Sequence, residues 1–247
     1  MNFSIRQLES VDSTNQFLQQ CADKKNVEEG FVVWAKEQTA GRGHGRNTWE
    51  SEPDKNLTFS LLLKPVFVSP EHQFLLTQIV SLAIVEVLKE ILPDETITIK
   101  WPNDIYIDNN KVAGILIQNF IKGQHIDYSI VGIGLNVNQA HFFSDAPNPV
   151  SLMQITNKTL DLKGLLNKLL KRIQMIYEQS VSNLWRAEIN KRYLTHLYRY
   201  KEKALFKEKA LQFEATILGI GKFGKLILQL ESGEEKQYSF KEVEFII

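Results

Sequence analysis

Three glycines at alternate positions, interleaved with cations, mark the segment of this chain best suited to bind a charged ligand. It reads Lys36-Glu37-Gln38-Thr39-Ala40-Gly41-Arg42-Gly43-His44-Gly45-Arg46-Asn47-Thr48-Trp49. Glycine lets backbone approach a ligand closely. Arg42, His44 and Arg46 add donors, so the loop suits an anion such as a phosphate or carboxylate. It lacks the G-x-x-x-x-G-K-[ST] form of a phosphate-cradling loop. On composition alone, a solvated basic loop fits it equally well.

Four further segments carry candidate chemistry. Lys100-Trp101-Pro102-Asn103-Asp104 reads first as a turn, since Pro, Asn and Asp favour turns. Lys111-Val112-Ala113-Gly114-Ile115-Leu116 follows it. An Asn109-Asn110 turn between them predicts a hairpin. Its register would put Asp104, Tyr106, Asp108, Lys111 and Ala113 on one face, with Ile105, Ile107, Val112 and Leu116 on the other. Asp104 and Lys111 would then stand roughly 13 Å apart, too far for an ion pair without bending or side-chain reach. Val131-Gly132-Ile133-Gly134-Leu135-Asn136-Val137-Asn138 places glycines within a strand, where a bulge or close approach by a ligand accounts for them. Ser13-Thr14-Asn15 reads as a helix start, with Ser13 and Gln16 in the S-x-x-Q form of a capping box. The same polar groups could face a ligand.

The elements that must position these residues follow from pattern. Strands are expected over 3–8, 31–37, 57–63 (strongly apolar and therefore buried), 96–100 and 126–137. The hairpin spans 104–120. Ser69-Pro70 opens a long helix to about Leu92, with Pro in its first turn. Residues 139–150 form a loop. Helices follow near 161–179 and 182–198, the first carrying Leu162, Leu165, Leu166, Leu169, Leu170 and Ile173 at helical spacing. From about Lys203 the chain alternates in short apolar runs broken by Gly, the signature of a small β unit of SH3-like size. The expected fold class is α+β: a mixed, mainly antiparallel sheet flanked by helices over 1–200, and a small SH3-like β-barrel over 203–247.

Composition narrows the function. The 247 residues carry 29 Lys plus Arg against 29 Asp plus Glu, which argues against a bulk nucleic-acid binder. A single cysteine, Cys21, excludes an intramolecular disulfide. No run approaches the roughly 18 apolar residues of a membrane span, and the N-terminus has no secretory pattern. A cytoplasmic setting is expected. His44, His72, His125, His141 and His196 lack metal-ligand spacing, so no protein-held metal is expected.

In this order and spacing, the five segments resemble the catalytic domain of biotin–protein ligases, a fold related to class II aminoacyl-tRNA synthetases. The resemblance runs from about residue 10 to 140. Its most specific element is Lys100-Trp101-Pro102-Asn103-Asp104 followed by Lys111-x-x-Gly114-Ile115-Leu116. The resemblance implies biotin and ATP as substrates, with Mg2+. A biotin carboxyl carrier protein domain would be the acceptor. It implies that Ser13, Thr14 and Gln38, beside Asn15, bond the ureido ring. Gly41, Arg42 and Gly43 would close over it. Gly114, Leu116 and Gly134 would leave room, and Trp49 would wall the valeryl tail. Lys111 and Arg42 would meet the carboxylate and α-phosphate as catalytic groups, with Asp104 as the third. Asn103, Asp104 and Asn136 would lie on the nucleotide side, and Lys100 would be a further binding residue. The loop 38–49 would be disordered when empty and ordered by ligand.

The chain departs from the common G-R-G-R-x-x-R-x-W loop, with His44 at the fourth position, Asn47 at the seventh and Arg46 one place early. Arg46 is a substitute for the missing arginine. The chain begins at the catalytic domain, so sequence-specific DNA binding is not expected, nor is membrane association. A lipoate–protein ligase is the nearest rival, but its R-R-x-S-G-G-G type segment is absent. A non-catalytic biotin-binding module is the rival of a different class. A homodimer through the strand edge near 119–128 stays open beside an exposed hairpin.

Overall fold

The computed structural model describes residues 1–45, 47–143 and 148–246. A seven-stranded sheet forms the body. Its strands are β1 (Ser4–Val11), β2 (Phe31–Gln38), β3 (Leu57–Leu63), β4 (Ile97–Lys100), β5 (Asp104–Ile107), β6 (Asn110–Lys122) and β7 (His125–Leu135). They lie in the order β1-β2-β3-β7-β6-β5-β4. Only β1 and β2 run parallel; every other neighbour is antiparallel.

The interior strand β3 is buried at every residue because both of its faces are covered. Leu57, Phe59, Leu61 and Leu63 join the main core. That core packs beneath α2 (Phe74–Ile91), α4 (Leu162–Gln179) and α5 (Asn183–Thr195). Leu62 faces the other way, with Val33, Ile130 and Leu18 of α1 (Thr14–Asp23). Thr58 and Ser60 share that second face by the period-2 rule. The expected long helix begins one turn late: Pro70–His72 is a 3-10 turn, and α2 follows it.

A short helix, α3 (Leu152–Thr156), is an addition to the expected elements. It carries a complete capping box, with Ser151 Oγ accepting from Gln154 N and Gln154 Oε1 accepting from Ser151 N at 2.8 Å. The capping box expected at Ser13 is not formed. Ser13 is the N-cap of α1, but its side chain makes no cap hydrogen bond. The first helical N–H, on Thr14, goes instead to Gln38 Oε1 at 2.8 Å.

The C-terminal unit is a five-stranded antiparallel sheet of β8 (Lys203–Glu208), β9 (Leu211–Ile220), β10 (Leu226–Leu230), β11 (Glu235–Tyr238) and β12 (Glu244–Phe245). The order β11-β10-β9-β8-β12 leaves the two outer strands unpaired with each other among the described residues. The sheet is therefore open where a closed barrel was expected. Strands of four and two residues are too short to complete the ring. Its core residues Phe206, Ile217 and Leu228 belong to the same buried cluster as the main sheet. Trp101 Nε1 donates to Gly224 O at 2.9 Å and joins the two sheets directly.

Candidate active site

The α1-side face of the sheet carries the site. Hydrogen-bonded neighbours line up across it as Ala35, Thr58, Gly134, Gly114 and Asp104, and one step along as Val33, Ser60, Gly132 and Leu116. Glycines there leave depressions, and two side chains fill them. A Cβ on Gly114 would lie 2.9 Å from Trp49 Cζ3, and one on Gly134 would fall within the Trp49 indole. A Cβ on Gly132 would collide with the Asn15 amide. The room expected for a ligand at Gly114 and Gly134 is thus occupied by Trp49, which becomes the surface that a ligand would meet. Its Nε1 is buried without a hydrogen-bond partner among the described residues.

A polar cluster stands at one end of this face. Thr14 Oγ1 lies 3.1 Å from Gln38 Oε1, and Ser60 Oγ lies 2.7 Å from Thr14 Oγ1 and 2.6 Å from Asn15 Oδ1. Asn15 Nδ2 donates to Leu116 O at 3.1 Å and lies 3.4 Å from Gln118 Oε1. Ser13, Thr14, Asn15 and Ser60 are all buried. Ser60 and Gln118 were not singled out from sequence, and Gly132 was read only as one of two glycines within a strand. The legible signal was polar Thr58 and Ser60 alternating within an otherwise apolar strand.

A charged pair stands at the other end. Lys111 Nζ is 2.8 Å from Asp104 Oδ1, with both side chains about one-fifth exposed. The expected separation of these residues is overturned for two reasons. The turn is Asp108-Asn109, with Asp108 at φ 52°, so Tyr106 pairs with Lys111. A bulge between Ile105 and Tyr106 then leaves Val112 unmatched, since Ile105 pairs with Ala113. The bulge puts Val112 and Ala113 together in the helix-side core and turns Lys111 toward the Gly114 side. The lysine stem spans what remains. Lys111 Nζ also sits 5.6 Å from the Trp49 ring centroid, a cation–π distance. Asn136 Nδ2 donates to Val150 O at 3.1 Å, and Lys111 N donates to Asn148 O at 2.7 Å, so residues 148–150 border this end. Asn136 Oδ1 is buried and unpartnered.

The glycine loop is paired on itself rather than a free coil. Trp49 N donates to Gly41 O at 2.9 Å and Gly43 N to Asn47 O at 2.8 Å, with an antiparallel bridge between Arg42 and Thr48. Arg42 is exposed, and its guanidinium makes no hydrogen bond or ion pair among the described residues. His44 leaves the sheet face and meets Phe240 of the C-terminal unit edge-on at 4.0 Å. Partial burial and the nearby Lys241 ammonium hold its imidazole below the usual value. Arg46 lies outside the described residues.

Two expected residues point elsewhere. Asn103 Nδ2 donates to Ile115 O at 2.6 Å and so fixes the turn to β6. Lys100 lies 3.3 Å from Tyr106 Oη, with the Tyr106 and Phe245 rings at 5.2 and 5.6 Å. Burial pushes its ammonium below the usual value; Asp104 opposes this, while Lys111 and Arg199 add to it. Beside Asn103 a cleft of about 250 Å³ opens between His44, Phe74, Trp101, Leu116, Asn119 and Phe240.

The arrangement offers a neutral polar cluster, an aromatic surface and a lysine–aspartate pair in order along one sheet face. Similar chains are known. Residues 7–136 match the model of the biotin/lipoate A/B protein ligase family. The bifunctional ligase/repressor of Bacillus subtilis is 30% identical over 245 residues, covering 93% of this chain and 70% of that protein. A biotin–[acetyl-CoA-carboxylase] ligase of Paracoccus denitrificans is 28% identical over 82% of this chain and 85% of its own. The biotin protein ligase of Aquifex aeolicus, solved with biotin and ATP, superposes with a TM-score of 0.81 at 29% identity, over 98% of both chains. A family match over more than half of its length, joined to likeness in both sequence and fold across nearly all of it, shows that this chain belongs to the biotin/lipoate A/B protein ligase family, among its biotin–protein ligases.

Proposed function

We propose that this chain activates biotin with ATP as biotinyl-adenylate, releasing pyrophosphate, and then passes the biotin to a lysine of a biotin carboxyl carrier domain. The observation that carries the reading is the order of groups along one sheet face. Neutral donors and acceptors at Thr14 and Gln38 suit an uncharged ureido ring. The Trp49 indole suits an apolar chain. The Lys111–Asp104 pair stands where a carboxylate and a phosphate would meet.

Attack of the biotin carboxylate on the α-phosphorus breaks the bond to pyrophosphate and gathers negative charge on the phosphate oxygens. Lys111 supplies fixed positive charge there, and Asp104 holds its ammonium in place until ligand arrives. Arg42, free of other partners, adds a second cation once the loop lies over the ligand. Among the described residues no group of three or more His, Cys, Asp or Glu could hold a metal alone. That suits a Mg2+ carried by the triphosphate, which needs only one or two protein carboxylates and keeps its waters. Asp104 is the carboxylate placed for it, and the ion would offset phosphate charge. Asn136 Oδ1, buried and without a partner among the described residues, is the acceptor we assign to the nucleotide. In the second step the acceptor amine attacks the adenylate carbonyl, and AMP leaves.

Beyond Gly114, β6 has no strand on its outer edge. Ile117 and Asn119 of that stretch line the cleft beside Asn103. We assign this edge to the extended, lysine-bearing segment of the acceptor; a homodimer would compete for the same edge. No helix of the described residues is long and apolar enough to cross a membrane. We place the ATP-dependent reaction in the cytoplasm.

The test is incubation with ATP, Mg2+ and either biotin or lipoate, with and without a carrier domain, read by mass spectrometry of the carrier. A mass gain with biotin alone is expected. A gain with lipoate alone, or none with either, overturns the reading.

A further inference from the structure

Resting on the biotin reading, we infer that Asn15 is a positioning residue that sets the hydrogen-bond polarity of the ligand pocket without touching the ligand. Asn15 is 6% exposed and stands over Gly132, where any side chain would displace it. Which way its amide faces is fixed by its surroundings. Nδ2 lies 3.1 Å from Leu116 O and 3.4 Å from Gln118 Oε1. Turned over, the amide would set oxygen against the Leu116 carbonyl and forfeit a donor to Gln118. Asn15 Oδ1 must therefore face Ser60, 2.6 Å away, as an acceptor.

The consequence passes along the chain of hydroxyls. Three short oxygen–oxygen contacts, Asn15–Ser60, Ser60–Thr14 and Thr14–Gln38, share only two hydroxyl protons. Asn15 Oδ1 has no proton to give, so the Ser60 proton is committed to it. The 2.7 Å contact between Ser60 and Thr14 is then bridged by the Thr14 proton. Gln38 Oε1 keeps the Thr14 backbone N–H at 2.8 Å. Two groups keep capacity for a ligand: the lone pairs of Thr14 Oγ1, as acceptors, and Gln38 Nε2, which has no partner among the described residues, as a donor. A cyclic urea presents the complement, N–H donors beside one carbonyl acceptor. Remove Asn15 and the Ser60 proton is free to turn to Thr14, which takes up one of those lone pairs.

Asn15→Leu, Ser60→Ala and the double variant, each checked for folding by circular dichroism, are titrated calorimetrically with biotin and separately with ATP. Asn15→Leu is expected to weaken biotin about tenfold, the worth of one net hydrogen bond, with ATP affinity unchanged. Because Asn15 acts through Ser60, it should cost little more once Ser60 is alanine. Asn15→Ala reads the same quantities should the leucine not fold. Wild-type biotin affinity in a folded Asn15 variant, or losses that add in full, would overturn the inference. A wild-type protein that binds no biotin sinks the functional reading instead.

Discussion

The two faces of β3 obey different rules. Toward α2, Leu57, Phe59, Leu61 and Leu63 pack against apolar neighbours. Toward α1, Thr58 bonds the Ala35 carbonyl and Ser60 enters a polar network beside glycines. The helix starts repeat the contrast. Ser151 closes its capping box with Gln154, whereas Ser13, with the same S-x-x-Q spacing, leaves its cap open at the site. The helix-side rules give stability. Where the local rules are broken, the groups left over are those available to a ligand.

Substitutions can break this contrast. Lys111→Ala, on the site side, is expected to lower adenylate formation by at least about a hundredfold, with the melting temperature nearly unchanged; pyrophosphate release measures the first and calorimetry the second. Phe59→Ala, on the opposite face of the same sheet, should cost about 3–5 kcal/mol of stability, measured by urea unfolding, while each folded molecule still turns over. If Phe59→Ala abolished chemistry in folded protein, the division between the faces would not hold. The paired serines sharpen the point. Ser151→Ala should lose about 1 kcal/mol, the usual worth of a cap. Ser13→Ala should lose under about 0.5 kcal/mol, having no cap bond to break, yet weaken biotin binding in a fluorescence titration.

Local pattern was readable because it rests on neighbours in sequence. The span of β3 and the helix of residues 162–179 followed from local pattern, whereas the role of the glycines at 114 and 134 came from the family resemblance. Contacts between distant segments did not. Gln38 takes the first N–H of α1 from 24 residues away, which defeats the capping box that the sequence promised. The Lys111–Asp104 pair hung on where one turn fell and on a single unmatched residue, Val112, neither of which side-chain type records. Ser60 was legible only as a polar residue in an apolar run, and Gln118 had no signal beyond its place on β6. The open C-terminal sheet differs from the expected barrel because outer strands of four and two residues pair only locally.

The self-pairing of the glycine loop has a kinetic consequence. Because Gly41, Arg42 and Gly43 are cross-linked through backbone to Asn47, Thr48 and Trp49, those two arms have already lost much of their conformational entropy before a ligand arrives. The loop moves as a flap rather than a rope, and its resting place is the Phe240 ring that His44 touches. Lifting such a flap means parting His44 from Phe240 and drawing the Trp49 indole off Gly114 and Gly134, so the escape of a reactive adenylate would be timed by those contacts more than by any reordering of chain.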